Sequence, residues 1–80
     1  MNLSVSIRTK EKLLYSGTAS SVSSENVNGP FDIIPQHANF ISLIYGYLIV
    51  DLGLSTEQKF DVEKGVMYVM SDKVDVYLGI

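Results

Sequence analysis

The run Phe40-Ile41-Ser42-Leu43-Ile44-Tyr45-Gly46-Tyr47-Leu48-Ile49-Val50-Asp51-Leu52-Gly53 decides how the rest of the chain is read. Periodicity alone admits a helix here, because apolar residues fall on every face. A strand reading wins on composition. Gly46 and Gly53 bracket a stretch dominated by Tyr, Ile and Val, whose branched or aromatic side chains suit a pleated surface, and Gly disfavours a helix interior. Apolar residues on both sides of Gly46 fit strands covered on both faces, or one strand with a bulge or bend at the glycine. As a membrane span the run fails, since Ser42, Gly46, Asp51 and Gly53 interrupt it well short of the roughly 20 residues a helix needs to cross a bilayer.

Strand signals continue on both sides. Downstream, Lys59, Asp61 and Glu63 alternate with Phe60 and Val62, the period of two expected of a half-buried strand. Gly65 then opens Val66-Met67-Tyr68-Val69-Met70, and Ser71-Asp72-Lys73 turns the chain into Val74-Asp75-Val76-Tyr77-Leu78, a hairpin with a short polar loop. Upstream, Leu3, Val5 and Ile7 alternate with Ser4, Ser6 and Arg8, so residues 2–9 form a strand. Residues 13–24 follow a polar turn at Lys10-Glu11-Lys12 and read as a second, long strand. Turn formers concentrate at Asn26-Val27-Asn28-Gly29-Pro30, where the chain reverses. Phe31 to Ile34 is a short strand that Pro35 ends or leaves on an edge, because proline has no N–H for the ladder. Gln36-His37-Ala38-Asn39 is a corner. The pattern is all-β: a flattened β-sandwich or barrel of about eight to ten short strands, with residues 1–80 as one domain.

Composition narrows the function. The chain has 80 residues, six basic and nine acidic, and no cysteine. Disulfides, thiolate metal sites and thiol nucleophiles are therefore excluded, and a reducing compartment fits. The basic residues are scattered apart from Arg8, Lys10 and Lys12, which argues against a surface that tracks nucleic-acid phosphates. Met1-Asn2-Leu3-Ser4 begins neither a signal nor a transit peptide. His37 is the single histidine, so a metal site would need carboxylate partners and a hydrolytic triad has no supporting motif. The carboxylates are spread through turns and outward strand positions, and the glycines are too far apart for a phosphate loop. Tyr68 and Tyr77 can share a face, as can Tyr45 and Tyr47. Without a basic groove that points to sheet packing or a protein contact rather than to base stacking, with Met67 and Met70 as core or interface residues. A free-standing domain that binds a small ligand, carbohydrate or oligonucleotide through these tyrosines stays open as the alternative.

The segment Gly29-Pro30-Phe31-Asp32-Ile33-Ile34-Pro35-Gln36-His37-Ala38-Asn39-Phe40-Ile41-Ser42-Leu43 resembles the Gly-Glu-Phe-Gly-Ile-Leu-Pro-Gly-His-Ala-Pro-Leu-Leu-Thr-Ala stretch of the ε subunit of rotary F-type ATP synthases. Val5-x-Ile7-x-Thr9-x-Glu11-Lys12-Leu13-Leu14-Tyr15-x-Gly17 is similar to that family's opening, and Gly65-x-x-x-Val69 with Val74-x-Val76 to its last hairpin. The resemblance runs from about Leu3 to Leu78 and implies a ten-stranded flattened sandwich. It implies a non-catalytic rotor subunit of a proton-translocating ATP synthase, without cofactors. Such a subunit joins the γ subunit to the c ring on the cytoplasmic face of a bacterial membrane and reaches that membrane only through the complex. Matching positions would face γ at Thr9, His37 and Ser42, and the c ring at Asn28, Gly29, Pro30 and Phe31. Pro30 stands where the family commonly has Glu. The family's two-helix C-terminal domain would begin where this sequence ends, so the resemblance implies neither an inhibitory helical arm nor nucleotide binding here.

Overall fold

The computed structural model describes residues 1–80. Seven strands and no helix make up the chain: β1 (Leu3–Arg8), β2 (Leu13–Ala19), β3 (Val22–Asn26), β4 (Gly29–Ile33), β5 (Phe40–Val50), β6 (Gln58–Met70) and β7 (Lys73–Leu78). They form one hydrogen-bonded sheet in the order β2-β1-β7-β6-β5-β3-β4. All neighbours are antiparallel except β1 and β7, which run parallel.

Connectivity forces this sheet to close over itself. β2 lies at one end of the order and β3 next to the other, yet only Ser20 and Ser21 separate them in the chain. In a flat sheet they would stand about 24 Å apart, at roughly 4.8 Å per strand spacing, whereas the connection from Ala19 to Val22 spans at most about 10 Å. The sheet therefore folds into two layers, and the fold line runs through the middles of β5 and β6.

Register explains how two long strands make that bend. Ile44 pairs with Gly65 and Gly46 with Val62, so β6 advances one residue more than β5 between the two pairs. The extra residue is a β-bulge, which sharpens the local twist. It leaves Glu63 and Lys64 both exposed and reverses the inward parity of β6, from Phe60 and Val62 before it to Gly65, Met67 and Val69 after it. β5 keeps one parity throughout, burying Ile44, Leu48 and Val50, and turns at Gly46, where φ is +82°. The first layer comprises β2, β1, β7, the Gly65–Met70 half of β6 and the Phe40–Ile44 half of β5. The second comprises the remaining halves of β6 and β5 with β3 and β4. The all-β sandwich class agrees with the sequence. The strand count falls to seven because both bent strands serve both layers.

One long strand over residues 13–24 does not form. The chain breaks at Ser20-Ser21, where the Ser20 N–H donates to Asp51 Oδ1 at 2.6 Å and the Asp51 N–H donates to Ser21 O at 3.0 Å. Nothing local marks this break, because Ser20 and Ser21 sit in a uniform run of small polar residues; the carboxylate that stops β2 arrives from the end of β5.

Leu3, Val5 and Ile7 of β1, Val74, Val76 and Leu78 of β7, Met67 and Val69 of β6, Ile44 and Leu48 of β5, Val22 and Ile33 join in one buried cluster. Each such side chain contributes about 1.5–3 kcal/mol by leaving water. Gly65 lies where that cluster has no room: a Cβ there would stand 2.8 Å from Leu78 Cδ2 and 2.9 Å from the Tyr77 carbonyl oxygen. The β6–β7 turn places Ser71 and Asp72 at φ +49° and +62°, the left-handed pair whose twist matches a two-residue hairpin. Asp72 is anchored there, its carbonyl accepting from Ser4 N–H at 2.8 Å and its Oδ1 from Gln36 N–H at 2.6 Å.

A candidate protein-contact face

Side chains that alternate with the core residues form the outer face of the first layer, and register sets them in rows. Leu43, Val66, Tyr77 and Arg8 follow one another across β5, β6, β7 and β1, as do Ile41, Tyr68, Asp75 and Ser6. The β5–β6 side of this face is apolar. Ile41 is 69% exposed, Met70 62%, Tyr68 42% and Tyr77 41%. The Tyr68 and Tyr77 rings meet edge to face with centroids 5.8 Å apart, an arrangement favoured by the ring quadrupoles. A shallow groove between Tyr68, Met70, Tyr77 and Ile80 carries Lys73 and Asp75 among its lining residues. Contiguous exposed apolar surface of this kind marks a contact site, because a free surface gains nothing from keeping it wet.

The sequence pointed to a shared face for Tyr68 and Tyr77, and the register bears this out. It did not point to Ile41 and Leu43, which join the face only because β5 pairs with the second half of β6. Extending the Phe60–Val62 alternation past Glu63 would have turned Tyr68 and Met70 inward. The signal that corrects it is the consecutive polar pair Glu63-Lys64, which cannot alternate and so announces a change of parity. Tyr45 and Tyr47 share the outer parity of β5 but straddle the bend, with Tyr47 opposite Asp61 in the second layer.

The positions matched to the γ-facing surface do not gather in one place. Thr9 follows the C-terminal end of β1 and caps its own turn, its Oγ1 accepting from the N–H groups of Glu11 and Lys12 at 3.2 Å each. His37 lies by the opposite end of β1, because the adjoining Gln36 bonds Asp72, and Asp72 bonds Ser4. The span from Ser4 to Thr9 is roughly 17 Å along an extended strand. His37 Nδ1 lies 2.7 Å from the Ala38 carbonyl; that oxygen can only accept, so the bond requires a proton on Nδ1. The imidazole also packs edge-on against Phe40 at 5.8 Å.

His37 and Ser42 instead meet the positions matched to the ring-facing loop. The Phe40 ring lies 5.3 Å from Phe31 on β4, across the open end between the layers. Ser42 Oγ accepts from Asn26 Nδ2 at 3.2 Å, and Asn26 Oδ1 accepts from the Asn28 N–H at 2.8 Å, closing the β3–β4 turn. Gly29 adopts φ +115° in that turn, and the adjoining Pro30 is exposed on the outermost strand. Phe40, a residue that no reading singled out, is thus the hub between His37 and Phe31.

The Asp51 carboxyl is held below its ordinary value. The Thr56 hydroxyl donating to Oδ2 at 2.7 Å pulls it down most, and the Ser20 N–H adds to this, against the opposing effect of burial. Its role is to hold the β2–β3 connection against the β5–β6 loop.

The distinctive surface of this two-layer all-β unit is an apolar sheet face, the kind of surface that suits a protein contact. The chain belongs to the family described as the ATP synthase delta/epsilon chain, beta-sandwich domain, which it matches over residues 2–78. Among solved structures it is similar to a chain of the Euglena gracilis mitochondrial ATP synthase, in an assembly of OSCP, F1 and c-ring in rotational state 1. The TM-score is 0.85 at 11% identity, over 96% of this chain and 50% of that one. It is also similar to a chain of the Tetrahymena thermophila mitochondrial ATP synthase central stalk and c-ring, with a TM-score of 0.82 at 13% identity, over 100% of this chain and 65% of that one. The chain thus spans about half the length of the first relative and about two thirds of the second. A search of curated proteins by sequence gives no match.

Proposed function

We propose that this domain is a non-catalytic rotor component that links the γ subunit to the c ring of a proton-translocating F-type ATP synthase, on the cytoplasmic face of a bacterial membrane. The apolar outer face of Ile41, Leu43, Tyr68, Met70 and Tyr77 carries the reading. A subunit that transmits torque must hold its partner without chemistry, and an apolar sheet face rimmed by polar β1 serines has the core-and-rim character of a protein interface. Family membership and the likeness in fold to chains of two ATP synthase assemblies support it. In this reading γ covers that face, and the exposed β3–β4 tip from Val27 to Pro30 meets the polar loops of the ring.

Calorimetric titration with the cognate γ subunit tests the assignment. Tyr68→Asp and Ile41→Asp should each weaken binding by at least about tenfold, the loss of roughly 1.4 kcal/mol expected for a buried interface anchor. Their thermal midpoints should stay close to that of the parent. Binding that survives both substitutions in folded protein would overturn the reading.

A further inference from the structure

Folding one sheet into two layers leaves four strand edges without a ladder: β2, β4, the Gln58–Val62 half of β6 and the Phe40–Ile44 half of β5. Open edges template pairing with other chains, and proteins blunt them with charge, proline or covering side chains. Three of these edges are blunted. β4 carries Pro30 and Asp32, and β6 carries Lys59 and Asp61. On β2 the Tyr15 ring lies over Gly17, with its hydroxyl on the Thr18 carbonyl at 3.0 Å. The fourth edge has no such device. Phe40 to Val50 contains no charge and no proline, and the side chain engaging the backbone of its open half is that of Ser42, on the Leu43 carbonyl at 2.9 Å.

From this contrast we infer that the free chain forms a two-fold dimer by pairing the Phe40–Ile44 edge antiparallel with the same edge of a second copy. A two-fold contact needs a self-complementary surface, and this segment supplies one about Ser42. In the register centred there, Phe40 of one copy lies opposite Ile44 of the other, and Ile41 opposite Leu43. No charge meets its own kind. The outward pairs join the apolar faces of both copies into one band, with Tyr68 behind Ile41 and Val66 behind Leu43. Paired with itself about Phe31, the β4 edge would set Pro30, which lacks an N–H, opposite Asp32, and the Gln58–Val62 edge would have to desolvate Lys59 and Asp61 to bring them together across the axis. The dimer covers part of the face assigned to γ, so a γ subunit bound there would exclude it; the pairing itself does not depend on that assignment.

Sedimentation equilibrium of the full chain, from micromolar to millimolar, reads the outcome directly. The expected mass rises from 8.9 kDa to twice that value. Ile41→Lys combined with Leu43→Lys should hold the mass at 8.9 kDa throughout, because ammonium groups then oppose each other across the axis. Ile41→Lys combined with Leu43→Glu should restore the dimer, since this register sets each introduced ammonium against the other copy's introduced carboxylate. Hydrogen exchange of the unsubstituted chain is the second measurement, with protection of amides between residues 40 and 44 growing with concentration. A parent chain that stays monomeric, a dimer that survives both lysines, or exchange independent of concentration would overturn the inference. A monomer that binds γ would leave the proposed function standing, and a dimer indifferent to γ would leave only the pairing.

Discussion

Removing the Asp51 carboxylate should open the sandwich where β2 hands over to β3. Asp51→Ala deletes the bonds to Ser20 N–H and Thr56 Oγ1 and leaves alanine at φ +57°. Hydrogen bonds to charged groups contribute about 1.5–3 kcal/mol when shielded, and less here because Ser20 and Thr56 are exposed. A left-handed backbone costs alanine about 1 kcal/mol more than Asp or Asn. The sum is about 2–4 kcal/mol, a large share of the roughly 4–12 kcal/mol expected of a domain this size. Asp51→Asn keeps an acceptor for Ser20 and tolerates the backbone, so it should cost about 1 kcal/mol. Urea unfolding followed by circular dichroism should then show the alanine midpoint lower by about 2 M, with a slope of about 1–2 kcal/mol per M. The effect of pH fixes the mechanism. Because the folded carboxyl titrates below its ordinary value of 3.8, its contribution is complete above that value and disappears as pH falls through the folded value. Parent and Asp51→Asn should therefore converge in that acid window and differ at neutral pH. Equal midpoints for parent and Asp51→Ala, or a gap that persists undiminished at low pH, would refute the argument.

Gly65→Ala should lower the thermal midpoint by about 8–15 °C, as about 2 kcal/mol of overpacking implies, because the new Cβ meets a backbone carbonyl that cannot yield. Met67→Ala should cost about 2–4 kcal/mol in denaturant unfolding through the cavity it leaves in the core, whereas Met70→Ala, on the exposed parity of β6, should stay within about 0.5 kcal/mol and weaken γ binding instead. Pro30→Glu should leave stability within about 0.5 kcal/mol, since Pro30 is exposed on an outermost strand; tighter pull-down by isolated c ring would support a ring contact at the β3–β4 tip.

Much of this architecture was legible in local patterns. Alternation in Leu3-Val5-Ile7 and Phe60-Val62, the turn chemistry of Asn26 to Gly29 and the Ser71-Asp72 reversal each depend on neighbours within a few residues, and each forms where the sequence put it. The family pattern from Gly29 to Leu43 pointed to the correct class of protein. The residues it nominated are placed less simply: Thr9 stands apart, while His37, Ser42, Asn28 and Phe31 converge around Phe40 and Asn26.

By itself the sequence determined an all-β chain, the positions of most turns and which side chains alternate inward along each local run, because period and turn propensity are properties of contiguous residues. Only the tertiary structure decided that β2 stops at Ser20 and that β5 pairs with both halves of β6 across the bulge. It alone set Ile41 beside Tyr68 and left one uncharged edge open. Those outcomes depend on register between segments distant in sequence, and one inserted residue there exchanges the buried face of a strand for its exposed one.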